Sequence, residues 1–373
     1  MLSDNCTVVT LMQLPSVGQQ LLLLMVSSVV FPEHAHFVML IPPTPKVNII
    51  SVVKVIAMFA TILISTAKIQ KYFLFRIFAD GKIMSHSRYA LVMKQILLIN
   101  DVVGHSHVGM AAMLPILTYL GHPVYNLPTA LVSNTLDYGR FNIMETTEYM
   151  RGTLPVWQRL GFRFDAVCTG LMFSDEQASL VAAYCRHLSA EGCSVFVDPI
   201  MGDGGHLYNG MTEHQVEQMR DMVSVADLTF PNYTEACLLT GMPYREAGMS
   251  WDEACAMLDG VAALGARSVL ITSARIDGQP CVLGRRSDES VAGFRQHIDE
   301  GPYFRLDYDE IPKAFHGTGD IFSAVLIGHL LKGEPLRQST QTAMNVVSGL
   351  IERNIDQKDL CLGIPIEQCL DLL

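Results

Sequence analysis

Six short apolar segments alternate with amphipathic stretches between residues 94 and 273, and this alternation constrains the fold more than any other feature. Each apolar segment has the length of a buried strand, whereas intervening stretches such as 174–188 and 251–264 have the apolar spacing of helices. Strands that alternate with helices predict right-handed crossovers and a mostly parallel sheet covered on both faces. The predicted strands are 94–99, 122–130, 164–170, 193–199, 226–232 and 267–273.

Composition limits the classes of function. A chain of 373 residues that is 50% hydrophobic and 17% charged can bury a large core. The formal net charge of −11 argues against a nucleic-acid groove, which needs a basic surface. Nine cysteines without a CxxC pair are typical of reduced thiols in a cytosolic core, and they do not suggest a disulfide framework or a zinc site.

The first quarter of the chain differs from the rest. Residues 1–93 carry seven Lys and Arg against three Asp and Glu, whereas the remainder carries 19 against 34. The apolar run 21–30 is too short to span a bilayer, and the run 47–66 has near-spanning length but contains Lys54. We expect no signal peptide, because no short basic start with a small-residue cleavage site is present. A translated upstream region, a membrane anchor and a buried accessory segment all stay open for residues 1–92, and we expect one domain over 93–373.

Polar residues follow several of the predicted strands directly. If the strands are parallel, their carboxyl ends share one edge of the sheet, where α/β proteins bind ligands. The residues expected at this edge are Asp198, Asn232, Glu235 and Asp320. Hard oxygen ligands beside backbone amides that bind phosphate are what magnesium–nucleotide chemistry requires.

The stretch "HGTGD", 316–320, opens a late apolar helix. One interpretation is a plain helix start, with Asp320 as a capping acid. The other is an anion site, in which the backbone N–H groups of a glycine-rich helix N-terminus face a phosphate. The motif alone does not separate these two.

Five motifs together carry a resemblance to a known family. They are "GTGD" at 317–320, "VDPIMGD" at 197–203, "PNYTE" at 231–235, "KQILLINDVVGHSHVG" at 94–109 and "LPTALVSNTLDYG" at 127–139. The chain resembles the ribokinase-like kinases over 94–365, and within them the pyridoxal/pyridoxamine (vitamin B6) kinase branch. The resemblance implies an α/β fold, a three-layer α/β/α sandwich with a mostly parallel central sheet, for the kinase domain at 93–373.

The resemblance also implies site roles. Asp320 matches the catalytic base, and Gly317, Thr318 and Gly319 match the anion hole for the transferring phosphoryl group. Asn232 and Glu235 match the pair that organises magnesium. Asp198 matches an acid beside the metal and the nucleotide phosphates, Thr272 a nucleotide-side residue, and Asp101 and Thr129 contacts to the vitamer ring.

The implied reaction is ATP-dependent phosphorylation of the 5'-hydroxymethyl group of a B6 vitamer, with Mg²⁺ and, as an open question, a monovalent cation. The alternatives are a hydroxymethylpyrimidine kinase of thiamine synthesis and a non-catalytic ligand-binding protein on the same fold. The resemblance further implies a homodimer. From the charge and the cysteine pattern we expect a cytoplasmic protein that binds no nucleic acid, with membrane association only if the N-terminal extension is genuine.

The sequence departs from the family pattern at three positions. Leu171 follows the strand-end Gly170 where some vitamer kinases have an aromatic residue, and Thr272 stands where lysine is frequent. Asp101 stands where serine is frequent, and an acid there favours a protonated amine or a pyridine N–H in the substrate. His105 and His107 have a spacing that metal ligands can have, but we interpret them as loop histidines near a small-molecule site.

Overall fold

The computed structural model describes residues 7–13, 22–28, 37–41, 93–208, 211–287 and 301–373. The chain divides into two compact units, Met1–His86 and Ser87–Leu373. This division does not test where the kinase fold begins, so the boundary at Met93 stays a prediction.

The described part of the first unit is an antiparallel sheet. Its strands are β1 (Thr7–Gln13), β2 (Leu22–Ser28) and β3 (Phe37–Ile41), with β2 in the centre. The apolar run 21–30 contains β2, and the sequence pattern did not predict this sheet. The second apolar run, 47–66, lies outside the described residues.

A nine-stranded sheet forms the centre of the second unit. Its strands are β4 (Ile96–His105), β5 (Val124–Asn134), β6 (Ile143–Glu145), β7 (Ala166–Thr169), β8 (Ser194–Val197), β11 (Leu228–Thr229), β12 (Ser268–Ile276), β13 (Gln279–Arg285) and β14 (Tyr303–Asp307). The order across the sheet is β14-β13-β12-β11-β8-β7-β4-β5-β6. Two short strands, β9 (Gly202–Asp203) and β10 (His206–Leu207), form a separate hairpin.

The sheet is parallel in its middle and antiparallel at its edges. The strands from β12 to β5 pair in parallel, whereas β13, β14 and β6 are antiparallel to their neighbours. The six parallel strands are the six predicted from the sequence, and the mostly parallel sheet is confirmed. Their carboxyl ends therefore meet at one edge, as the sequence required.

Eight helices lie in the described part of this unit and cover both faces of the sheet. They are α1 (Met110–Tyr119), α2 (Thr147–Leu160), α3 (Asp175–Ala190), α4 (Glu213–Val223), α5 (Tyr233–Thr240), α6 (Trp251–Ala262), α7 (Thr318–Leu331) and α8 (Leu336–Arg353). Helices α2 to α6 pack on one face, and α1, α7 and α8 pack on the other. The result is the predicted three-layer α/β/α sandwich.

Strand residues alternate between the two cores because successive side chains point to opposite faces. In β4, Leu97 and Ile99 belong to one core and Ile96 and Leu98 to the other, and all four are fully buried. Burying an aliphatic side chain of this size contributes roughly 1.5–3 kcal/mol. A strand buried on both faces has no polar alternation, which explains the continuous apolar runs in the sequence.

Helix α7 is apolar on almost every side, and it is packed between the sheet, α1 and α8. A helix with this pattern is a core helix. Its first turn is therefore held rigidly at the edge of the sheet, and that turn carries Asp320.

Candidate active site

Polar side chains at three neighbouring strand ends line one region. Asp198 comes directly after β8, and Asn232 follows β11 and forms a parallel bridge with Thr272 in β12. The pairing of β12 is irregular between Ile271 and Ala274, and Ser273 has a φ of 54°. A non-glycine residue in this conformation costs of order 1–3 kcal/mol and is concentrated at functional sites.

Gly317 is the N-cap of α7 and has a φ of 79°. A Cβ at this position would lie 2.5 Å from the carbonyl oxygen of His107, so the close approach of the 105–109 loop requires glycine. The first N–H groups of a helix have no intrahelical partner. Gly317, Thr318 and Gly319 thus present unpaired backbone donors and the positive end of the helix dipole, as an anion hole needs.

Asp320 lies in the first turn of α7 and is fixed by two donors from β4 and its following loop. The Gly109 N–H donates to Oδ2 at 2.8 Å, and the Asn100 amide Nδ2 donates to Oδ1 at 3.2 Å. Burial raises the pKa of the Asp320 carboxyl, and these two donors partly offset that rise. A carboxylate with a raised pKa is a stronger proton acceptor near neutral pH.

Asn232 and Glu235 form a capping box at the start of α5. The Glu235 N–H donates to Asn232 Oδ1 at 2.9 Å, and the Asn232 N–H donates to Glu235 Oε2 at 2.8 Å. The other Glu235 oxygen accepts the Met201 N–H at 3.0 Å. Burial raises the pKa of Glu235 to about 7, although these backbone donors favour the charged form.

Asp198 faces the same region. Ser323, one turn along α7 from Asp320, donates its hydroxyl to Asp198 Oδ2 at 3.2 Å. Burial raises the pKa of Asp198 well above its usual range, and the charges of Glu235 and Asp320 raise it further. Like charges held this close favour either a shared proton or a bound cation.

These groups line one cavity of about 360 Å³. Every residue predicted for the base, the anion hole, the metal and the nucleotide lines it, namely Asp198, Asn232, Glu235, Thr272, Gly317, Thr318, Gly319 and Asp320. The lining also contains apolar side chains, among them Val282, Met344, Val347 and Ile351. A cavity lined by acidic and amide groups together with apolar side chains can accept a phosphorylated ligand with a flat ring.

Asp101 and Thr129, the two predicted contacts to the vitamer ring, are not part of the cavity lining. Among the described residues, Asp101 and Thr129 are buried and lie outside the lining of this cavity. Asp101 follows Asn100 in β4, and burial, followed by the charge of Asp320, raises its pKa to about 7. Thr129 Oγ1 finds no hydrogen-bond partner within the described part of the chain.

The predicted magnesium site consists of Asp198, Asn232 and Glu235. In the described ranges, no three carboxylate, imidazole or thiol groups cluster closely enough to hold a metal ion alone. Magnesium usually keeps several waters and takes only one or two protein carboxylates. The repelling carboxylates of Asp198 and Glu235 fit such a water-rich site. The backbone carbonyl of His107 lies beside Gly317, but its imidazole has other partners, with Nε2 at 3.3 Å from Glu367 Oε1.

Sequence reasoning missed several residues of the site, among them Asn100, Ser323 and Tyr208. Asn100 contacts Asp320 directly, and Ser323 and Tyr208 line the cavity. The i, i+3 spacing of Asp320 and Ser323 could have identified Ser323, because such residues share a helix face. The sequence signal for Asn100 was weaker, since it is only a polar residue directly after the predicted strand 94–99.

Comparisons with known proteins identify the family of this chain. The family model for phosphomethylpyrimidine kinase matches residues 147–362. The pyridoxine/pyridoxal/pyridoxamine kinase of Bordetella avium is 31% identical over 261 residues, which cover 66% of this chain and 80% of that protein.

Two solved structures extend the comparison. A candidate phosphomethylpyrimidine kinase of Bacteroides thetaiotaomicron, crystallised with pyridoxal, has a TM-score of 0.68 and 27% identity, and the match covers 75% of this chain and 96% of that one. The pyridoxal kinase of Leishmania donovani, in complex with ADP and pyridoxamine, shares the fold, with a TM-score of 0.63, 24% identity and coverage of 74% and 95%. The chain therefore belongs to the phosphomethylpyrimidine kinase family and, within the ribokinase-like superfamily, to the branch of the pyridoxal kinases.

Proposed function

We propose that this chain transfers the γ-phosphoryl group of ATP to the 5'-hydroxymethyl group of a B6 vitamer. The observation that carries the proposal is the position of Asp320. Its carboxylate lies in the first turn of α7, beside the amides of 317–319, in the cavity that also contains Asp198 and Glu235. The similarity to kinases that are named for pyridoxal supports the same substrate class.

In this proposal Asp320 removes the proton from the substrate hydroxyl. The oxygen then attacks the γ-phosphorus in line, and the bond from phosphorus to the β,γ-bridging oxygen breaks. Negative charge develops on the transferring group next to the N-terminus of α7. Preorganised backbone donors at this place stabilise the transition state without reorganisation.

The apolar part of the cavity lining is the proposed adenine site. Val282, Met344 and Val347 offer apolar surface on which a flat ring can pack, and Thr272 in the same lining offers a polar contact. The polar residues Asp198, Asn232 and Glu235 are proposed to hold Mg²⁺ and its waters. When bound, Mg²⁺ neutralises phosphate charge.

Asp101 and Thr129 are proposed to contact the vitamer ring. The raised pKa of Asp101 supports this role, because a buried acid beside Asp320 gains most from a cationic or N–H partner. This argument favours pyridoxal or pyridoxamine as the substrate. Thr129 Oγ1, buried and without a partner in the described residues, is available to a substrate polar group.

Phosphorylation of a hydroxymethylpyrimidine is the second candidate function, and the description of the matching family model favours it. Both substrates present a hydroxymethyl group on an aromatic nitrogen heterocycle. Incubating the full chain with ATP, Mg²⁺ and each substrate, and identifying the product by ³¹P NMR, separates the two. A phosphate monoester of pyridoxal supports our proposal, and a product from the pyrimidine alone would replace it.

Glu235→Gln tests the metal assignment. We expect a higher magnesium concentration for half-maximal rate and a lower kcat, because one carboxylate of the water-rich site becomes neutral. The KM for the vitamer should change little. Glu253→Gln is a matched control, since Glu253 occupies the same capping-box position in α6 and is remote from the cavity. Superimposable magnesium titrations of wild type and Glu235→Gln would reject the assignment.

A protein that begins at Met93 tests the proposed domain boundary. Every proposed site residue lies after Met93, between Asn100 and Ile351, so we expect the shortened chain to fold cooperatively. Its kcat/KM should stay within about threefold of the full chain, roughly 0.65 kcal/mol of barrier. We also expect better solubility, which sedimentation of both proteins would measure. Loss of activity on shortening would show that residues 1–92 support the kinase fold.

A homodimer and a cytoplasmic location are also proposed. Strand β6 is an edge strand, and Leu131, Phe141 and Met144 on and beside the β5–β6 pair are large, apolar and exposed, which supports an interface between copies.

Across the described ranges, no helix has the length and apolar character that a membrane crossing requires.

A further inference from the structure

The side-chain amide of Asn100 makes hydrogen bonds through both its oxygen and its nitrogen, and one of its partners is Asp320. Its Oδ1 accepts the N–H of Asp101 at 2.9 Å and the N–H of Leu171 at 3.0 Å. Its Nδ2 donates to Asp320 Oδ1 at 3.2 Å, with Met113 Sδ at 3.6 Å as a weaker partner. Because the two backbone N–H groups require the oxygen, the amide nitrogen can only face Asp320.

The backbone of Gly170 packs directly against the Asn100 side chain. A Cβ on Gly170 would lie 2.3 Å from Asn100 Oδ1 and 2.4 Å from Cγ, so the amide lies directly against the glycine backbone. Asn100 itself is 1% exposed. Position 170, directly after β7, therefore requires glycine, because Asn100 occupies the space that a side chain there would need.

We propose that Asn100 is a positioning residue that orients the Asp320 carboxylate for proton removal. The inference rests on the proposed kinase function and adds a residue to it. Asp320 faces the carboxylates of Asp101 and Asp198, which repel it, and the Asn100 amide and the Gly109 N–H are the donors that oppose this repulsion. Without the amide, the Gly109 N–H still holds Oδ2, but Oδ1 loses the donor that fixes its direction.

Asn100→Asp separates the two roles of the amide, because the aspartate keeps an acceptor for the Asp101 and Leu171 N–H groups and replaces the donor to Asp320 with a carboxylate oxygen that repels it. We expect kcat to fall about 10- to 100-fold, as for a lost hydrogen bond to a charged group. The KM values for ATP and pyridoxal should stay within about threefold. Asn126→Asp on the neighbouring strand β5, at an exposed position, is the matched control and should leave kcat unchanged.

Gly170→Ala disturbs the same contact from the other side. We expect its loss of kcat to resemble that of Asn100→Asp, and the double variant to lose no more than either single one. Gly152→Ala, where a Cβ would meet no described atom within 4 Å, is the control.

A double-mutant cycle decides whether Asn100 acts through Asp320. In an Asp320→Asn background, Asn100→Asp should cost no further activity, whereas a purely structural role would reduce activity in both backgrounds.

A crystal structure of Asn100→Asp gives a readout that needs no catalysis, and it should show the Asp320 carboxylate turned away from residue 100. An unmoved carboxylate, or equal losses in both backgrounds, would overturn the inference. Absence of kinase activity in the wild type would instead refute the proposed function.

Discussion

Asp320→Asn is expected to lower kcat by about 10²–10⁴, the range for the loss of a general base. The asparagine keeps an acceptor for the Gly109 N–H, so the first turn of α7 should not move. ADP affinity should also persist, because the residues of the proposed adenine site are unchanged. We further expect the melting temperature not to fall, since the variant removes a buried charge that raises the pKa of Asp101 and Asp198.

Steady-state kinetics, ADP titration calorimetry and thermal melting measure these three quantities. Asp252→Asn is the matched control, because Asp252 is an exposed acid in the first turn of α6. It should change none of them. A folded Asp320→Asn protein with kcat within about threefold of wild type would remove Asp320 from the role of base.

Gly317→Ala is expected to lower kcat by about 10²–10³, the cost of losing an oxyanion-hole donor. The added Cβ would meet the His107 carbonyl oxygen at 2.5 Å and Val108 Cγ1 at 3.0 Å, so the N-terminus of α7 must shift. The residue also has a φ of 79°, which costs a non-glycine residue about 1–2 kcal/mol. The variant should therefore lose both stability and turnover.

Gly301→Ala separates strain from catalysis. Gly301 has the same φ of 79°, and a Cβ there would meet no described atom within 4 Å. We expect both variants to lose free energy of unfolding in urea titrations, and Gly317→Ala alone to lose kcat. Equal kcat values for the two variants would show that the start of α7 does not contact the transferring group.

The fold was predictable because its signals are local. The six parallel strands each contain a short apolar stretch, and most of these stretches lie between segments with helical spacing. The limits of β4 and β5 were not predictable in the same way, since both extend well beyond the apolar runs, to His105 and Asn134. Their pairing continues past an irregularity between Asn100 and Val102, and such pairing depends on the neighbouring strand.

The candidate site was predictable only in part. The "GTGD" and "PNYTE" motifs predicted the residues that the structure brings into one cavity, because each motif is a local helix start. The contact between Asn100 and Asp320 joins residues separated by 220 positions. Nothing local to Asn100 specifies that partner, so the residue that orients the proposed base emerged only from the fold.

The most direct test of the account is a comparison of kcat/KM for pyridoxal, pyridoxamine, pyridoxine and hydroxymethylpyrimidine, measured on the full chain with ATP and Mg²⁺. Such ratios report differential binding of the transition state. We predict phosphorylation at the 5'-hydroxymethyl group, with pyridoxal or pyridoxamine giving the highest kcat/KM. A folded, ADP-binding protein that phosphorylates none of the three vitamers, or that has its highest kcat/KM for the pyrimidine, would contradict the account.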